Sequence, residues 1–213
     1  MTAAVKSCDR GLSRADIRKE KVLDTARKLF IENGFHATGI AQVAKQSGIA
    51  VGQIYRDFCS KEAIVAALVN ADCTKFLQTE TLQRAINTGD TKEVLAWVLR
   101  FIEGDGDLDA SRLFAEVIAE SSRNRRIASI FTVLQQDLRR NLSSAIEMLA
   151  PALSEDGQSS ALADVVVTMS LGILQHRLIL PPGEVTPIAE TLGAIIQERL
   201  DTLRWEHRPK EPF

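Results

Sequence analysis

Residues 50–56 combine small, amide, phenolic and cationic side chains of the types that read base edges in DNA. The amide of Gln53 can make two hydrogen bonds to adenine, and Arg56 can reach guanine edges or a phosphate. A thymine methyl group can be touched by Ala50 or Val51. Nothing in this segment resembles a catalytic group of residues. We predict that its outward face contacts the major groove through Ala50, Val51, Gly52, Gln53, Tyr55 and Arg56.

Two short segments of helical period are expected to position these side chains. Apolar residues define both segments: Ile40, Val43 and Ala44 in the first, Ile54 and Phe58 in the second. Ser47-Gly48-Ile49 lies between them, and glycine can adopt the left-handed conformation that ends a helix. The pattern predicts a helix-turn-helix over about residues 39–58.

A wider set of motifs surrounds this pattern. It comprises Gly34-Phe35, Thr38, Ile40-Ala41, Ser47-Gly48-Ile49, Ile54-Tyr55, Phe58 and Ser60-Lys61-Glu62. On these residues the chain resembles the TetR family of transcriptional repressors, over roughly residues 14–64. Two positions depart from the family pattern, since Ala50 and Gly39 stand where a Ser or Thr is usual. A missing cap side chain costs about 1 kcal/mol, so we expect the recognition helix to be less fixed until DNA holds it.

The resemblance also implies contacts with the DNA backbone. Thr38, Tyr55 and Lys61 match family positions that flank the groove, where they would bind phosphates and fix register without reading sequence. Tyr55 could instead be a packing residue with its hydroxyl in water. Asp57 is unusual beside a DNA backbone, and it could restrain Arg56 or face solvent.

Charge is divided unevenly along the chain. Residues 1–61 contain eleven Lys or Arg and six Asp or Glu, a net charge of +5, whereas the whole chain carries −2 and residues 62–213 therefore carry −7. A basic end attracts phosphate and an acidic remainder is repelled by it, which would orient an encounter with DNA. The same charges could also simply solvate helix faces.

The apolar period is helical along the rest of the chain, without the sustained alternation of a half-buried strand. We predict an all-α fold of about nine helices. An N-terminal three-helix DNA-binding domain, residues 1–60, precedes a larger helical ligand-binding and dimerisation domain, residues 61–213. Helices are predicted from a Ser13 cap to Gly34, through the helix-turn-helix, and over about 60–85, 91–103, 108–121, 124–149, 158–179 and 185–204. Ile64, Ala67, Leu68 and Ala71 of the 60–85 helix are expected to dock on the DNA-binding domain.

The last two predicted helices carry more apolar surface than one core needs, interleaved with small residues that permit close helix approach. In the TetR family the corresponding pair forms a four-helix dimer interface. The resemblance therefore implies a homodimer that reads a near-palindromic operator. The alternative is that these helices close a monomeric core.

The resemblance further implies a small, mainly apolar effector that binds inside the helical domain and releases the operator. The candidate lining residues are Phe76, Trp97, Phe101, Phe114, Phe131, Met169, Gln175 and His176. Each could instead be an ordinary core residue. His176 has three possible roles, as a ligand hydrogen-bond donor, a satisfied core residue or an interface residue.

Rival functional classes have little support in the sequence. The three histidines lie far apart, and no nucleophile-elbow, zinc-protease, P-loop or dinucleotide motif is present, so we predict no enzyme. Cysteines 8, 59 and 73 lack metal-binding spacing, and we predict neither a metal nor another cofactor.

Two alternatives keep the same fold, a transcriptional activator and a helical adaptor that binds only protein.

We find no apolar leader and no stretch that approaches the roughly 20 apolar residues of a membrane span. The sequence therefore predicts a cytoplasmic protein without a membrane partner.

Overall fold

The computed structural model describes residues 13–104, 106–154 and 157–206. Ten α-helices and one 3-10 helix (Pro151–Ser154) form within these ranges, which contain no strand. The α-helices are α1 (Arg14–Asn33), α2 (Ile40–Ser47), α3 (Val51–Asp57), α4 (Lys61–Leu77), α5 (Thr79–Thr88), α6 (Thr91–Glu103), α7 (Leu108–Ser121), α8 (Arg125–Leu149), α9 (Gln158–Ile179) and α10 (Pro182–Glu206). The predicted all-α class is confirmed.

The chain divides into two compact units, Met1–Leu68 and Val69–Phe213. The division falls inside α4, after the boundary at residue 60 that the sequence suggests. We refer to the two parts as the N-terminal unit and the helical unit.

The N-terminal unit is built on the apolar face of α1. Ser13 and Asp16 form a reciprocal capping box at the start of this helix, which satisfies backbone donors that the first turn leaves unpaired. The predicted face is buried: Val22, Ala26, Leu29 and Phe30 are at most 1% exposed. Helix α2 packs against α1 and α3. The core therefore fixes the position of α3 through α2.

The single helix predicted over residues 60–85 is wrong, because the helix breaks at Gln78. This residue has φ 44° and ψ 49°, the left-handed region that only glycine adopts easily. Leu77 before the break and Leu82 after it are both buried in the helical unit, and the indole nitrogen of Trp97 donates to the Leu77 carbonyl. The break lets α4 and α5 both turn an apolar face to one core, and it brings the number of α-helices in the described ranges to ten.

The docking face predicted for the start of this region is partly right. Ile64 and Leu68 are buried in the N-terminal unit, and Ser60 caps α4 by accepting from the Ala63 amide at 3.2 Å. Ala71 is exposed, and the buried residue near it is Val69.

The core of the helical unit is centred on α8, which packs against α5, α6, α7 and α9. Trp97 and Val98 from α6 and Leu142 and Ile146 from α8 are at most 2% exposed. Helices α6, α7 and α8 each begin with an acidic or amide cap, Asp90, Asp107 and Asn124, whose side chain accepts from amides of the first turn.

Helix α9 is more apolar than expected, because the sequence was predicted to contain no stretch that approaches the length of a membrane span. By length and composition alone it could cross a bilayer, with a mean hydropathy of 1.3 over 18 residues. Within the helical unit, however, it packs against α6, α7, α8 and α10. Asp164 on this helix pairs with Arg139 of α8 at 2.8 Å. Because the helix is partnered by four others and carries a charge pair, we assign it to the helical bundle.

Candidate nucleic-acid interface and internal cavity

Helix α3 follows a glycine-containing turn, and buried apolar side chains on one of its faces hold it in place. Gly48 ends α2 with φ 69°, a conformation in which a side chain is strained. Ile54 is fully buried and Phe58 is nearly so. No side chain caps α3 at Ala50 or α2 at Gly39, as the sequence indicates. The helix is therefore positioned by the packing of one face and by its neighbours.

The opposite face of α3 is turned outward. Tyr55 is 51% exposed and Val51 is 40% exposed, while Arg56 lies at the surface and Gln53 is half-buried. Ala50 and Gly52 are also at the surface. The structure thus places the six residues predicted to meet the groove on α3 and its N-cap, five of them at the surface and Gln53 half-buried.

The structure corrects the role predicted for Thr38. This residue is completely buried, and its hydroxyl lies 3.1 Å from the Leu29 carbonyl and 2.9 Å from the Gly34 carbonyl. Leu29 lies near the end of α1, and Gly34 is the residue that caps its C-terminus. Thr38 therefore closes the end of α1 and does not reach a phosphate.

Lys61 is also engaged inside the N-terminal unit. Its ammonium donates to the Phe35 carbonyl at 2.7 Å and to the Thr38 carbonyl at 3.0 Å, and it lies 4.1 Å above the Phe35 ring. A cation over an aromatic face is attracted by the ring quadrupole. Lys61 therefore fixes the segment between α1 and α2, and the phosphate contact predicted for it stays a prediction.

Sequence reasoning missed the pairing of Asp57 with Arg18. Nε and a terminal nitrogen of Arg18 donate to the two carboxylate oxygens of Asp57 at 2.7 and 2.9 Å, and the Asp57 side chain is only 9% exposed. The pairing joins residues 39 positions apart, so no local spacing could reveal it. The hydrogen bond from Arg18 holds the pKa of Asp57 below its usual value, and the same bond raises the pKa of Arg18.

A cavity of about 160 Å³ lies within the helical unit. Its walls come from α4, α6, α7, α8 and α9, and most of the lining side chains are apolar. The polar residues in the lining are Asp72, Ser111, Ser170 and Arg177. An apolar cavity with a few polar groups is the common form of a small-molecule site.

Three of the eight predicted lining residues, Phe76, Phe101 and Phe114, line this cavity. Two others support the wall from behind, since Trp97 stacks on Phe101 at 6.2 Å and Phe131 packs on Phe114 at 5.5 Å.

The other three predicted lining residues lie elsewhere. Met169, Gln175 and His176 are exposed on α9 and do not line the cavity. His176 Nδ1 lies 2.8 Å from the Gly172 carbonyl one turn earlier. Helix α9 is apolar on more than one face, so its sequence could not show which face is inward.

Two features of the cavity wall were not foreseen. Burial raises the pKa of the Cys73 thiol to about 12, with the negative charge of Asp72 as a smaller cause, so the thiol is neutral at physiological pH. Gly104 has φ 68°, and the Arg177 guanidinium occupies the place where a side chain would begin. Glycine at the end of α6 therefore leaves room for a cationic group at the wall.

The described part of the chain contains no cluster of three His, Cys, Asp or Glu residues that could hold a metal ion. Cys59 is exposed after α3, Cys73 is half-buried, and Cys8 lies outside the described residues.

An amphipathic three-helix unit with an outward-facing second helix in its helix-turn-helix defines a class of DNA-binding regulators. Residues 22–68 match the family model for bacterial regulatory proteins of the tetR family, and residues 91–204 match the model for the C-terminal part of BetI-type transcriptional repressors. The chain belongs to the TetR family of transcriptional regulators.

Several known proteins are similar to this chain. The HTH-type transcriptional regulator UidR of Escherichia coli (strain K12) is 28% identical over 123 residues, which cover 55% of this chain and 59% of that protein. Salmonella enterica GusR has the same fold, with a TM-score of 0.64 at 21% identity over 90% of this chain and 97% of that one. A SmeT–triclosan complex gives a TM-score of 0.68 at 20% identity, over 84% and 91% of the two chains.

Proposed function

We propose that this protein is a ligand-responsive, sequence-specific transcriptional repressor that acts in the cytoplasm. It binds a near-palindromic operator as a homodimer and leaves it when a small, mainly apolar effector binds. The observation that carries the proposal is the outward face of α3, which presents Gln53, Tyr55 and Arg56 from a helix anchored by Ile54.

In this proposal Gln53 and Arg56 read bases. A glutamine amide pairs with adenine and an arginine with guanine through two hydrogen bonds each. Val51 and Ala50 lie at the N-terminal end of the helix, where a thymine methyl group would be reached. Tyr55 binds a phosphate through its exposed hydroxyl and fixes register. Gly52, without a side chain, permits close approach of the helix to the groove.

The homodimer is proposed to form through α9 and α10. Val165, Met169 and Ile179 on α9 and Ile188 and Ile195 on α10 are 40% to 69% exposed. The α9 residues recur at helical spacing along one stripe, and only 17% of the most apolar window of this helix is buried within the chain. Apolar surface of this extent commonly marks an association site, and two copies would bury it symmetrically.

The cavity of the helical unit is the proposed effector site. At about 160 Å³ it is close in size to cavities that take up one benzene ring. Its lining favours an apolar body with few polar groups, since the polar lining residues are limited to Asp72, Ser111, Ser170 and Arg177. The SmeT–triclosan complex is an example of a protein of this fold with triclosan bound.

Selection from a pool of random duplexes tests the proposal. The purified full-length protein is mixed with labelled duplexes at about 150 mM salt, and the bound sequences are recovered and read. We expect a near-palindrome whose half-sites lie about one helical turn apart, or a multiple of that. Weak, salt-sensitive binding without enrichment of any sequence would contradict it. Transcription in vitro from a promoter with the selected site then shows the sign, since a repressor lowers transcript yield and an activator raises it.

The role of Gln53 has its own test. Gln53→Ala should relax base preference at one position of each half-site, while preference elsewhere is retained. Arg56→Ala is the companion variant. It should relax a different position if Arg56 reads a base, or weaken binding to all sequences and lower the salt slope if it contacts a phosphate.

A further inference from the structure

One ion pair of the N-terminal unit lies at the end of the helix that is predicted to read bases. Asp57 is the last residue of α3, and Arg18 lies in the second turn of α1. Nε and a terminal nitrogen of Arg18 donate to the two carboxylate oxygens of Asp57 at 2.7 and 2.9 Å. The pair is sheltered from water, since the Arg18 and Asp57 side chains are 26% and 9% exposed. It therefore ties the end of α3 directly to α1.

The apolar contacts of α3 constrain its orientation less closely than this pair does. The helix has seven residues, of which Ile54 is buried, and no side chain caps it at Ala50. Phe58 follows the helix and is 8% exposed. Apolar burial is non-directional, so it fixes how deeply the helix packs better than it fixes rotation about the helix axis. Two parallel hydrogen bonds between a guanidinium and a carboxylate have a defined plane and supply the missing direction.

The stability of the helix itself does not explain an acidic residue at this position. The C-terminus of a helix carries a partial negative charge, so a carboxylate there is unfavourable. A carboxylate close to DNA would also repel phosphates. Arg18 offsets both effects, because its guanidinium holds a positive charge against the Asp57 carboxylate. The pair is therefore explained better by the placement of α3 than by the stability of the helix.

The placement of α3 decides whether its side chains can reach base edges. Gln53 and Arg56 lie four residues and one residue before Asp57 on this helix, so a rotation or tilt of its end moves both. A recognition contact has to be held within about 0.5 Å and 10–20° of its productive geometry. Attraction between a cation and a phosphate depends on distance and tolerates more misplacement. Loss of the pair should therefore weaken sequence discrimination more than it weakens binding to DNA in general.

We propose that Arg18 and Asp57 are positioning residues that set sequence discrimination by fixing the orientation of α3. Neither residue has to touch a base for this role. The inference rests on the proposed function, in which α3 reads the operator, and it assigns a role in specificity to a pair that the proposed base contacts do not include.

Asp57→Ala in the full-length protein is the first test. Fluorescence anisotropy at several salt concentrations measures affinity for the duplex that the wild type selects and for a scrambled duplex. We expect the ratio of the two affinities to fall about tenfold, which is the effect of losing one base contact. Affinity for the scrambled duplex should stay the same or rise, because a negative charge is removed and Arg18 is released toward phosphates. A general structural defect would instead lower both affinities.

Reversal of the pair separates its geometry from its charges. Arg18→Asp should lower discrimination, because two carboxylates then face each other, and the double variant Arg18→Asp/Asp57→Arg should restore most of it. Arg18→Lys keeps the positive charge without the two-pronged geometry, so it should discriminate less well than the wild type. Glu32→Ala is the control, since it removes an acid from an exposed position near the end of α1 and should leave discrimination unchanged. Thermal unfolding without DNA sets a temperature at which every variant is folded.

The possible results lead to different conclusions. Unchanged discrimination in both Asp57→Ala and Arg18→Asp would overturn this inference and leave the proposed function intact. Equal losses of affinity for the selected and the scrambled duplex would also overturn it, because the pair would then only support the fold. If the wild-type protein selects no sequence at all, the proposed function fails and this inference fails with it.

Discussion

At the scale of single residues, the N-terminal unit uses motif residues for its own assembly. Thr38 and Lys61 both hold the segment between α1 and α2, one through its hydroxyl and the other through its ammonium. The Lys61 ammonium also donates to the Thr38 carbonyl, so the two residues form one small network. A side chain placed at the rim of a DNA-binding surface can therefore act by shaping that surface.

Thr38→Val should destabilise the protein. The change keeps the shape of the side chain but removes the hydroxyl that lies against the Leu29 and Gly34 carbonyls. Loss of a buried hydrogen-bond donor costs about 1–2 kcal/mol. Thermal or urea unfolding without DNA measures the change. Thr25→Val is the matched control, because Thr25 makes a similar hydroxyl-to-carbonyl bond at a more exposed site, and it should change stability by less than about 0.5 kcal/mol.

Cys73 should make stability fall in alkaline solution. Burial raises the pKa of its thiol in the folded protein to about 12, above the ordinary value of 9.0. The folded state thus keeps the proton while the unfolded state releases it, so this contribution is full below about pH 9 and is lost as pH rises towards 12. The free energy of unfolding of the wild type should drop faster between pH 8 and 10 than that of Cys73→Ala, by at most about 1.4 kcal/mol per pH unit. An equal slope in both proteins, with Cys59→Ala as a second reference, would show that the thiol does not contribute.

The residue types and spacing around α3 were enough to predict its outward face. Gln53 and Arg56 follow from helical period alone, once Ile54 and Phe58 are taken as buried. Thr38 was placed wrongly and the internal contacts of Lys61 were missed, because the partners of both are backbone carbonyls of other segments, which spacing does not show. The contact between Arg18 and Asp57 was missed because the two residues are 39 positions apart in the sequence.

At the scale of helices, two glycines four residues apart have opposite roles. Gly48 ends α2 in the left-handed region, and a Cβ there would meet only the Lys21 ammonium at an ordinary 3.8 Å. Gly52 lies inside α3, with no neighbouring atom within 4 Å of a Cβ. A Cβ has room at both positions, so the two glycines differ in their backbone conformation only.

Gly48→Ala and Gly52→Ala should therefore change stability in opposite directions. Alanine in the left-handed region costs about 1–2 kcal/mol, whereas alanine in place of glycine inside a helix gains roughly 0.5–1 kcal/mol. Urea unfolding of the DNA-free protein compares the two variants directly. Destabilisation of similar size in both would mean that contacts, and not backbone preference, decide the effect at one of these sites.

The break between α4 and α5 shows what helical periodicity cannot supply. No Gly or Pro occurs between residues 61 and 85, so nothing in the sequence of this segment marks an end. The chain turns at Gln78, so that Leu77 and Leu82 on either side pack into the same core, and Trp97 of α6 donates to the Leu77 carbonyl at the turn. The backbone strain at Gln78 is offset by the burial of Leu77 and Leu82 on either side of it.

At the scale of the whole molecule, charge and apolar surface are divided between the two parts of the chain. The net charge of +5 over residues 1–61 accompanies the outward face of α3. Exposed apolar side chains of α9 and α10 belong to the helical unit. The division of charge and apolar residues could be predicted from the sequence, because it depends on composition along the chain and not on tertiary contacts. It could not show which faces of α9 and α10 are uncovered.

Ile195→Glu tests the proposed dimer at this scale. Ile195 is 54% exposed on α10, and in a two-fold interface both copies of the charge would be buried against apolar partners. Burying unpaired charges costs several kcal/mol, so we expect the dissociation constant of the dimer to rise at least about 100-fold. Sedimentation velocity over a range of concentrations measures this constant.

Val133→Glu is the matched control, since Val133 is 57% exposed on α8 and the substitution is similar. It should leave the dimer intact. Affinity for a two-half-site operator should fall in Ile195→Glu, because a monomer gives up the second half-site, while affinity for a single half-site should be retained. Dissociation caused by Val133→Glu and not by Ile195→Glu would move the interface to α8 and refute the assignment to the last two helices.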